Sequence, residues 1–402
     1  MSGRFGPFRL ERLLGRGGMS EAFLAVRPDR PDEPLVIKRV RAAFAYRPAY
    51  LKRLVLEAQV ASRLAHPNLV RLREFGRVGD CHYIAMDQVR GHSLHRLLER
   101  SFEAGYQWSV EAALHLGMGI LEGLAAMHRV EDDDGHARPM LHRDVTPANV
   151  IVGLDGDPVI IDFGIAKDVN GPSITLPGQV VGTMRYMAPE HRRCEYIDPR
   201  ADVFSVSVVL FELLTGRHPW PPLVGMKELL RTSFDPPPIA PEAAARIPRP
   251  VLEVVLKGLA CAADDRWADA EEMRAALAPF RAPAPQGRLA VHAEIAYLDM
   301  PRDEDLTTPV VDMRPAEDEE REVMWTADGA VMGLCASDRP EDLDRLPTGK
   351  VAVLDIPPLP PRRDEGVSFE AAEKAALRSP WAVPMAAAVA LAAGVGAAWW
   401  LG

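Results

Sequence analysis

The chain reads as an α+β fold, with a strand-rich first part, a helical second part and a tail of different composition. Three observations predict this. Residues 8 to 26 alternate in polarity like two strands joined by a glycine-rich turn. Residues 109–129 and 200–216 are long helical patterns, and Val203 to Phe211 is apolar nearly all round, which suits a helix at the centre of a lobe. After Phe280 the periodicity fades into Ala-Pro-Ala-Pro at 282–285, an acidic run at 302–321 and a proline cluster at 357–361.

The first strand pair encloses Leu14-Gly15-Arg16-Gly17-Gly18-Met19-Ser20-Glu21-Ala22. Glycine lets the backbone approach a phosphate closely and present N–H donors. The turn lies between strands rather than before a helix, which argues against a dinucleotide fold. Leu35 to Val40 is an apolar strand interrupted by Lys38, and a lysine in such a run needs an anion. The helical pattern from about Pro48 to Ala65 supplies one. Leu54, Glu57, Ala61 and Leu64 share a face, so Glu57 points inward, and the expected ion pair Lys38–Glu57 aims the lysine at nucleotide phosphates.

The most informative stretch is His142-Arg143-Asp144-Val145-Thr146-Pro147-Ala148-Asn149, followed by Asp162-Phe163-Gly164. It puts two carboxylates and a carboxamide on neighbouring loops flanked by β-branched residues. Asp144 is suited to accept a hydroxyl proton, while Asp162 and the Asn149 amide oxygen are suited to hold Mg²⁺ against phosphates. Phosphoryl transfer demands that division of labour, because the protein must mainly position groups and neutralise charge.

Both strings in this order resemble the catalytic and metal loops of eukaryotic-like (Hanks-type) protein kinases, most closely the bacterial serine/threonine members, and the resemblance runs from about Phe8 to Phe280. It implies a bilobal protein kinase domain over 8–281, with a β-rich N-lobe (8–86), a hinge (87–91) and a helical C-lobe (92–281). ATP with Mg²⁺, or Mn²⁺ in its place, would bind under Gly15 to Ser20. Met86 would be the gatekeeper, Asp87 and Val89 the adenine-binding backbone, Ala22 and Val36 the roof, and Ile151 the floor. Gly182 to Glu190 resembles the activation segment and substrate platform. Thr183 there favours a Ser/Thr acceptor, and Ser173 and Thr175 are candidate autophosphorylation sites whose phosphate Arg143 would meet. Asp202 would bond the catalytic-loop backbone, and Arg266 would pair with Glu190.

The sequence departs from the family pattern at five positions. Ser20 replaces a glycine, and Ser207 replaces a glycine in the central helix. The usual valine and alanine of the roof are exchanged at Ala22 and Val36, a large-for-small swap that would keep the pocket's volume. Thr146 stands where serine/threonine kinases usually carry a lysine against the γ-phosphate, which weakens charge neutralisation unless another cation replaces it. Thr146 and the altered roof support the alternative of a nucleotide-binding pseudokinase scaffold. Against it stand Lys38, Glu57, Asp144, Asn149 and Asp162. A small-molecule phosphotransferase is disfavoured by the Ala188-Pro189-Glu190 platform.

Composition sets the surroundings. The formal charge is -10, and residues 301–370, with 18 acidic and 8 basic side chains, carry that excess alone. No basic stripe suggests nucleic acid; protein substrates are the expected partners. Cys81, Cys194, Cys261 and Cys335 lie far apart and read as reduced thiols. His92 and His95 find no third ligand nearby, and Glu131 to Gly135 lacks the alternation of a calcium loop. Met1 to Leu14 is too short and charged for a secretory signal. Residues 282–378 read as an acidic, proline-rich disordered linker. Trp381 to Gly402 holds 22 residues without a charge, about 33 Å as a helix, with Lys374 and Arg378 before it and Trp399 and Trp400 near its end. The expectation is a C-terminal transmembrane helix over 379–402. It would be a single pass through the cell (inner) membrane with the kinase domain cytoplasmic, and the small residues Ala390 and Gly394 would permit a homodimer.

Overall fold

The structure is a computed structural model that describes residues 3–16, 20–40, 58, 61, 64–79, 81–131, 135–136, 139–162, 184–193, 195–220 and 237–298. Gly17, Gly18, Met19, Glu57, Ser173, Thr175 and Thr183 lie outside the described residues, as do the expected linker beyond 298 and the expected helix at 379–402.

Strands β1 (Gly3–Phe5), β2 (Phe8–Arg16), β3 (Ser20–Arg27), β4 (Arg30–Val40), β5 (Leu72–Val78) and β6 (Cys81–Asp87) form an antiparallel sheet in the order β1-β2-β3-β4-β6-β5. Side chains alternate across a strand, and here both faces are apolar. On β4 and β6, Val36, Val40, Ile84 and Met86 join the main core, while Leu35, Ile37, Tyr83 and Ala85 join a second core with Phe5 and Phe8. Lys38, two residues from both Val36 and Val40, therefore falls on the face turned to the rest of the protein. The rings of Phe5 and Phe8 meet Tyr83 edge-on, with centroids 5.3 and 5.4 Å away.

That second core adds a strand ahead of the expected start of the N-lobe at residue 8. Gly3 pairs with Leu10 and Phe5 with Phe8, so the sheet gains a strand before that boundary. The reason is that Tyr83 and Val78 need apolar cover, which Phe5 supplies from fully buried positions.

A small sheet of β7 (Gly91–Ser93), β8 (Val150–Gly153) and β9 (Pro158–Ile160) joins the helical part. The helices are α1 (Leu94–Glu103), α2 (Val110–His128), α3 (Pro189–Arg192), α4 (Pro199–Thr215), α5 (Pro241–Arg246), α6 (Arg249–Gly258), α7 (Ala270–Leu277) and α8 (Ala284–Tyr297). Ser109 starts α2 by accepting from the Ala112 N–H, and Asp198 starts α4 by accepting from the Arg200 N–H. Gly216, at φ 70°, ends α4 in a left-handed turn. The sequence makes α2 long and apolar enough to cross a membrane, yet 78% of that stretch is buried inside the protein, so α2 is the core helix of the lobe. It packs on α4 closely because residue 117 is glycine; a Cβ there would stand 2.2 Å from Leu210 Cδ2.

The central helix also accounts for one departure from the family pattern. Ser207 Oγ donates to the Val203 carbonyl (2.7 Å), and the room it occupies is made by Gly258 on α6.

One correction concerns the far end. Residues 284–297 were expected to begin a linker and instead form α8, which packs along α2. Its buried stripe is Gly287, Val291 and Glu294, helical in spacing but with only one large apolar member. Hydrophobic periodicity therefore gives no sign of it.

Candidate active site

The expected catalytic loop, His142 to Asn149, is held from behind by one buried carboxylate. Asp202, in the first turn of α4 and 1% exposed, accepts from the His142 N–H (2.8 Å), the Arg143 N–H (2.8 Å) and His128 Nε2 (3.0 Å). Burial pushes this carboxyl up, but the hydrogen bonds and the charges of His128 and His142 outweigh it and hold the group below the usual range. Arg143 sits at φ 64°, a left-handed conformation that costs a non-glycine residue about 1–2 kcal/mol. The Asp202 bond to its N–H helps fix that conformation. His142 is fully buried, and its Nδ1 accepts from the Asp144 N–H at 3.2 Å.

The next turn, Pro147–Asn149, is a short 3-10 helix that brings Asn149 back over Asp144. Asn149 Nδ2 donates to the Asp144 carbonyl and to Asp144 Oδ2, both at 2.8 Å. The amide thereby orients the carboxylate and turns its own oxygen away from it. The Asn149 carbonyl accepts from the Ile161 N–H (3.0 Å), so the residue before Asp162 is tied to the catalytic loop. Across the cleft, Lys38 Nζ lies 2.6 Å from Asp162 Oδ2, joining the N-terminal sheet to the expected metal loop. Asp162 is thus the partner the structure gives Lys38; Glu57 lies outside the described residues.

The expected adenine pocket is apolar. Leu14, Val36, Met86 and Ile151 belong to one buried cluster, with Ala22 and Val89 packed against it. In the sheet register Val36 lies between Leu24 and Met86, and Ala22 lies opposite Lys38. The Asp87 N–H donates to the Arg71 carbonyl (3.0 Å), and its carboxylate meets Arg73 through two nitrogens at 2.5 and 2.9 Å. Gly15 pairs with Ala22, and Arg16 bonds Glu21, which also holds Arg39. Ser20 opens β3 opposite Val40.

Thr146 is buried, and its carbonyl accepts from the Asn149 N–H. On the platform, Glu190 and Arg266 form a bidentate pair at 2.8 Å through both nitrogens. The Arg266 guanidinium, fully buried, also donates to the carbonyls of Ala260, Cys261 and Arg200 and lies over the Phe204 ring.

The donor set fits a hard divalent cation. Asp162 supplies a carboxylate and Asn149 an amide oxygen, and no group of three or more Cys, His, Asp or Glu that could hold a metal ion occurs among the described residues. A site with few protein ligands suits a cation that shares its shell with phosphate oxygens and water.

Three supports went unread in the sequence. His128 completes the Asp202 cluster from the end of α2. Asn68 Nδ2 donates to the Pro158 carbonyl, and the main chains of Asn68 and Val70 bond Ile160 at 2.8 Å, fastening the segment before β5 to β9. Arg288 reaches back from α8 to Asp157. A buried Asp at a helix start signals that donors must exist, but not which ones.

The pattern of the protein kinase domain family matches residues 8–268, and the chain belongs to that family. Three bacterial relatives illustrate the likeness. The chain is 32% identical over 281 residues to the tyrosine-protein kinase MasK of Myxococcus xanthus, covering 69% of this chain and 43% of MasK. It is 32% identical over 271 residues to the serine/threonine-protein kinase PknH of Mycobacterium tuberculosis (67% and 41%), and 33% identical over 317 residues to a probable serine/threonine-protein kinase of Streptomyces coelicolor (73% and 44%). The chain thus spans less than half the length of these relatives. Among solved structures, the PknI kinase domain of M. tuberculosis superposes with a TM-score of 0.51 at 25% identity, over 69% of this chain and 97% of that one. These likenesses place the chain with the Hanks-type bacterial kinases.

Proposed function

We propose that the protein is a serine/threonine protein kinase that transfers the γ-phosphate of ATP to protein hydroxyls. The observation that carries this reading is the oriented carboxylate of Asp144, fixed by Asn149 Nδ2, on the same loop system as an Asp162 that faces Lys38 across the cleft.

Asp144 accepts the proton of the attacking hydroxyl through its carboxylate, and the Asn149 amide keeps that carboxylate aimed. Lys38 binds nucleotide phosphates, its charge placed at the cleft by the alternation of β4. Leu14, Ala22, Val36, Met86 and Ile151 exclude water around the adenine, and because the Asp87 N–H is engaged with Arg71, a purine contact at Asp87 falls to its carbonyl. Asn149 and Asp162 would hold Mg²⁺ or Mn²⁺, which when bound neutralises phosphate charge. Thr183 supports a serine or threonine acceptor. Autophosphorylation at Ser173 or Thr175, with Arg143 as the receiving cation, belongs to the same proposal. So does anchorage by residues 379–402, which rests on their length and lack of charge.

The test is transfer from labelled ATP with Mg²⁺ or Mn²⁺ to a generic basic protein, beside Asp144→Asn. Label on serine and threonine, lost in the variant by at least about 100-fold, is the expected result. Label confined to tyrosine overturns the acceptor assignment, and no label above the variant's level overturns the reading as an enzyme. Sedimentation with membranes, lost on deleting 379–402, tests the anchor.

A further inference from the structure

The helix α8 lies beyond the residues that match the family, which end at 268, yet its contacts reach the hairpin that joins two of the expected site residues. The two groups expected to hold the metal, Asn149 and Asp162, sit at the two ends of one hairpin, β8–turn–β9. Its turn is closed by the Gly153 N–H donating to the Asp157 carbonyl (2.8 Å) and the Gly156 N–H to the Gly153 carbonyl (2.9 Å). The Asp157 carboxylate, 13% exposed, then leaves the hairpin. It accepts from His115 Nε2 of α2 (2.9 Å) and from Arg288 of α8 through two nitrogens, Nε at 2.9 Å and Nη2 at 2.8 Å. Two close approaches seat the helix. Gly287 lies against the His115 ring, where a Cβ would come within 2.4 Å of Nδ1. Gly156, at φ +84°, lies against the Arg288 backbone. The far end of α8 is fastened separately: Glu294 accepts from the Ser109 N–H (2.9 Å), and the Tyr297 ring stacks on Tyr106.

We infer that α8 is a working part of the catalytic lobe, and that Arg288, acting through Asp157, is a positioning residue that holds the β8–β9 hairpin and so sets the spacing of Asn149 and Asp162. A bidentate guanidinium–carboxylate pair restrains direction as well as distance, which a lysine does not reproduce. A group behind metal ligands typically changes metal affinity or activity by about 10–100-fold when removed. The inference rests on the kinase reading above, and the test separates the two.

The experiment uses the full chain with Arg288→Ala, Arg288→Lys and, as a control, Arg281→Ala. Arg281 bonds Glu122 on α2 at 2.5 Å rather than the hairpin. Three quantities are read: the Mg²⁺ concentration giving half-maximal phosphotransfer at saturating ATP, hydrogen exchange of the amides of residues 150–161 without nucleotide, and thermal unfolding. Arg288→Ala is expected to raise half-saturation by Mg²⁺ about tenfold and to speed hairpin exchange by a similar factor. Arg288→Lys should fall between it and the wild type, and Arg281→Ala should leave both readouts unchanged whatever its unfolding temperature. Equal effects of Arg281→Ala and Arg288→Ala would reduce α8 to packing and overturn the inference, as would wild-type exchange and Mg²⁺ response in Arg288→Ala. A wild-type chain that transfers no phosphate overturns the kinase reading instead, and hairpin exchange then still decides whether Arg288 holds the turn.

Discussion

Replacing Asp202 by alanine should cost the protein both stability and turnover. The substitution strips one acceptor from three donors in a buried site: the His142 N–H, the Arg143 N–H and His128 Nε2. A hydrogen bond to a charged acceptor is worth about 1.5–3 kcal/mol, and an orphaned buried donor costs about 1–3 kcal/mol. The three do not simply add, because they share one carboxylate whose own burial is unfavourable and is relieved by its removal. Breaking a buried charged cluster from one side typically costs about 3–5 kcal/mol, and that is the expected loss. Ordinary domains hold about 5–15 kcal/mol, so the variant should stay folded at room temperature. Arg143 would then be released from its left-handed backbone, and Asp144 follows it directly. A misplacement of about 1 Å is enough to lower turnover about 100-fold. Urea unfolding and phosphotransfer assays on Asp202→Ala and Asp202→Asn measure both effects, with the asparagine milder because its amide oxygen still accepts. The pH dependence adds a sign. The folded carboxyl titrates below its unfolded value, so its contribution is present above about pH 4 and is lost as pH falls. The variant's acid limb should be flatter. A loss under about 1 kcal/mol with unchanged turnover would refute the argument that this carboxylate holds the loop.

Two further outcomes follow from other parts of the molecule. Val36→Ala deletes two buried methyl groups between Leu24 and Met86 and should cost about 1–2 kcal/mol of stability and weaken ATP binding, with Ala22→Val restoring part of both. Additive single and double variants in a mutant cycle would remove the idea of an exchanged roof. Burial, and then the neighbouring Arg185, push the His218 imidazole down to about 3. The folded protein therefore leaves it neutral where the unfolded chain takes up a proton. Stability should fall as pH drops from about 6.5, by up to about 1.4 kcal/mol per pH unit from this group. His66, His92 and His292 are lowered with the same sign, so His218→Gln should reduce the slope without abolishing it. An unchanged slope in equilibrium unfolding from pH 5 to 7 would show that His218 is not the cause.

The sequence disclosed those features whose chemistry is tied to fixed spacing. His142 to Asn149 and Asp162 could be read as a loop system because a candidate proton acceptor and two candidate oxygen ligands stand at short intervals among buried strands. Lys38 declared itself as a charge on the inward face of an apolar strand, two residues from both Val36 and Val40. What stayed hidden lacked a periodic signal or came from distant sequence. His128 closes a long apolar helix and meets Asp202 from 74 residues away. The buried side of α8 is a glycine, a valine and a glutamate, which no apolar stripe announces. Phe5 lies before the expected boundary, and only the outer face of the sheet shows why the fold needs it. Asp162 as the partner of Lys38 was equally unreadable, since a lysine's need for an anion does not choose among carboxylates.

The serine lodged against Gly258 restricts the order in which these two helices can change. A methyl group at 258 would stand 2.0 Å from Ser207 Oγ, a collision between rigid neighbours with little room to yield. Trimming Ser207 to glycine first opens a small void, and only afterwards does alanine at 258 become tolerable as its filling.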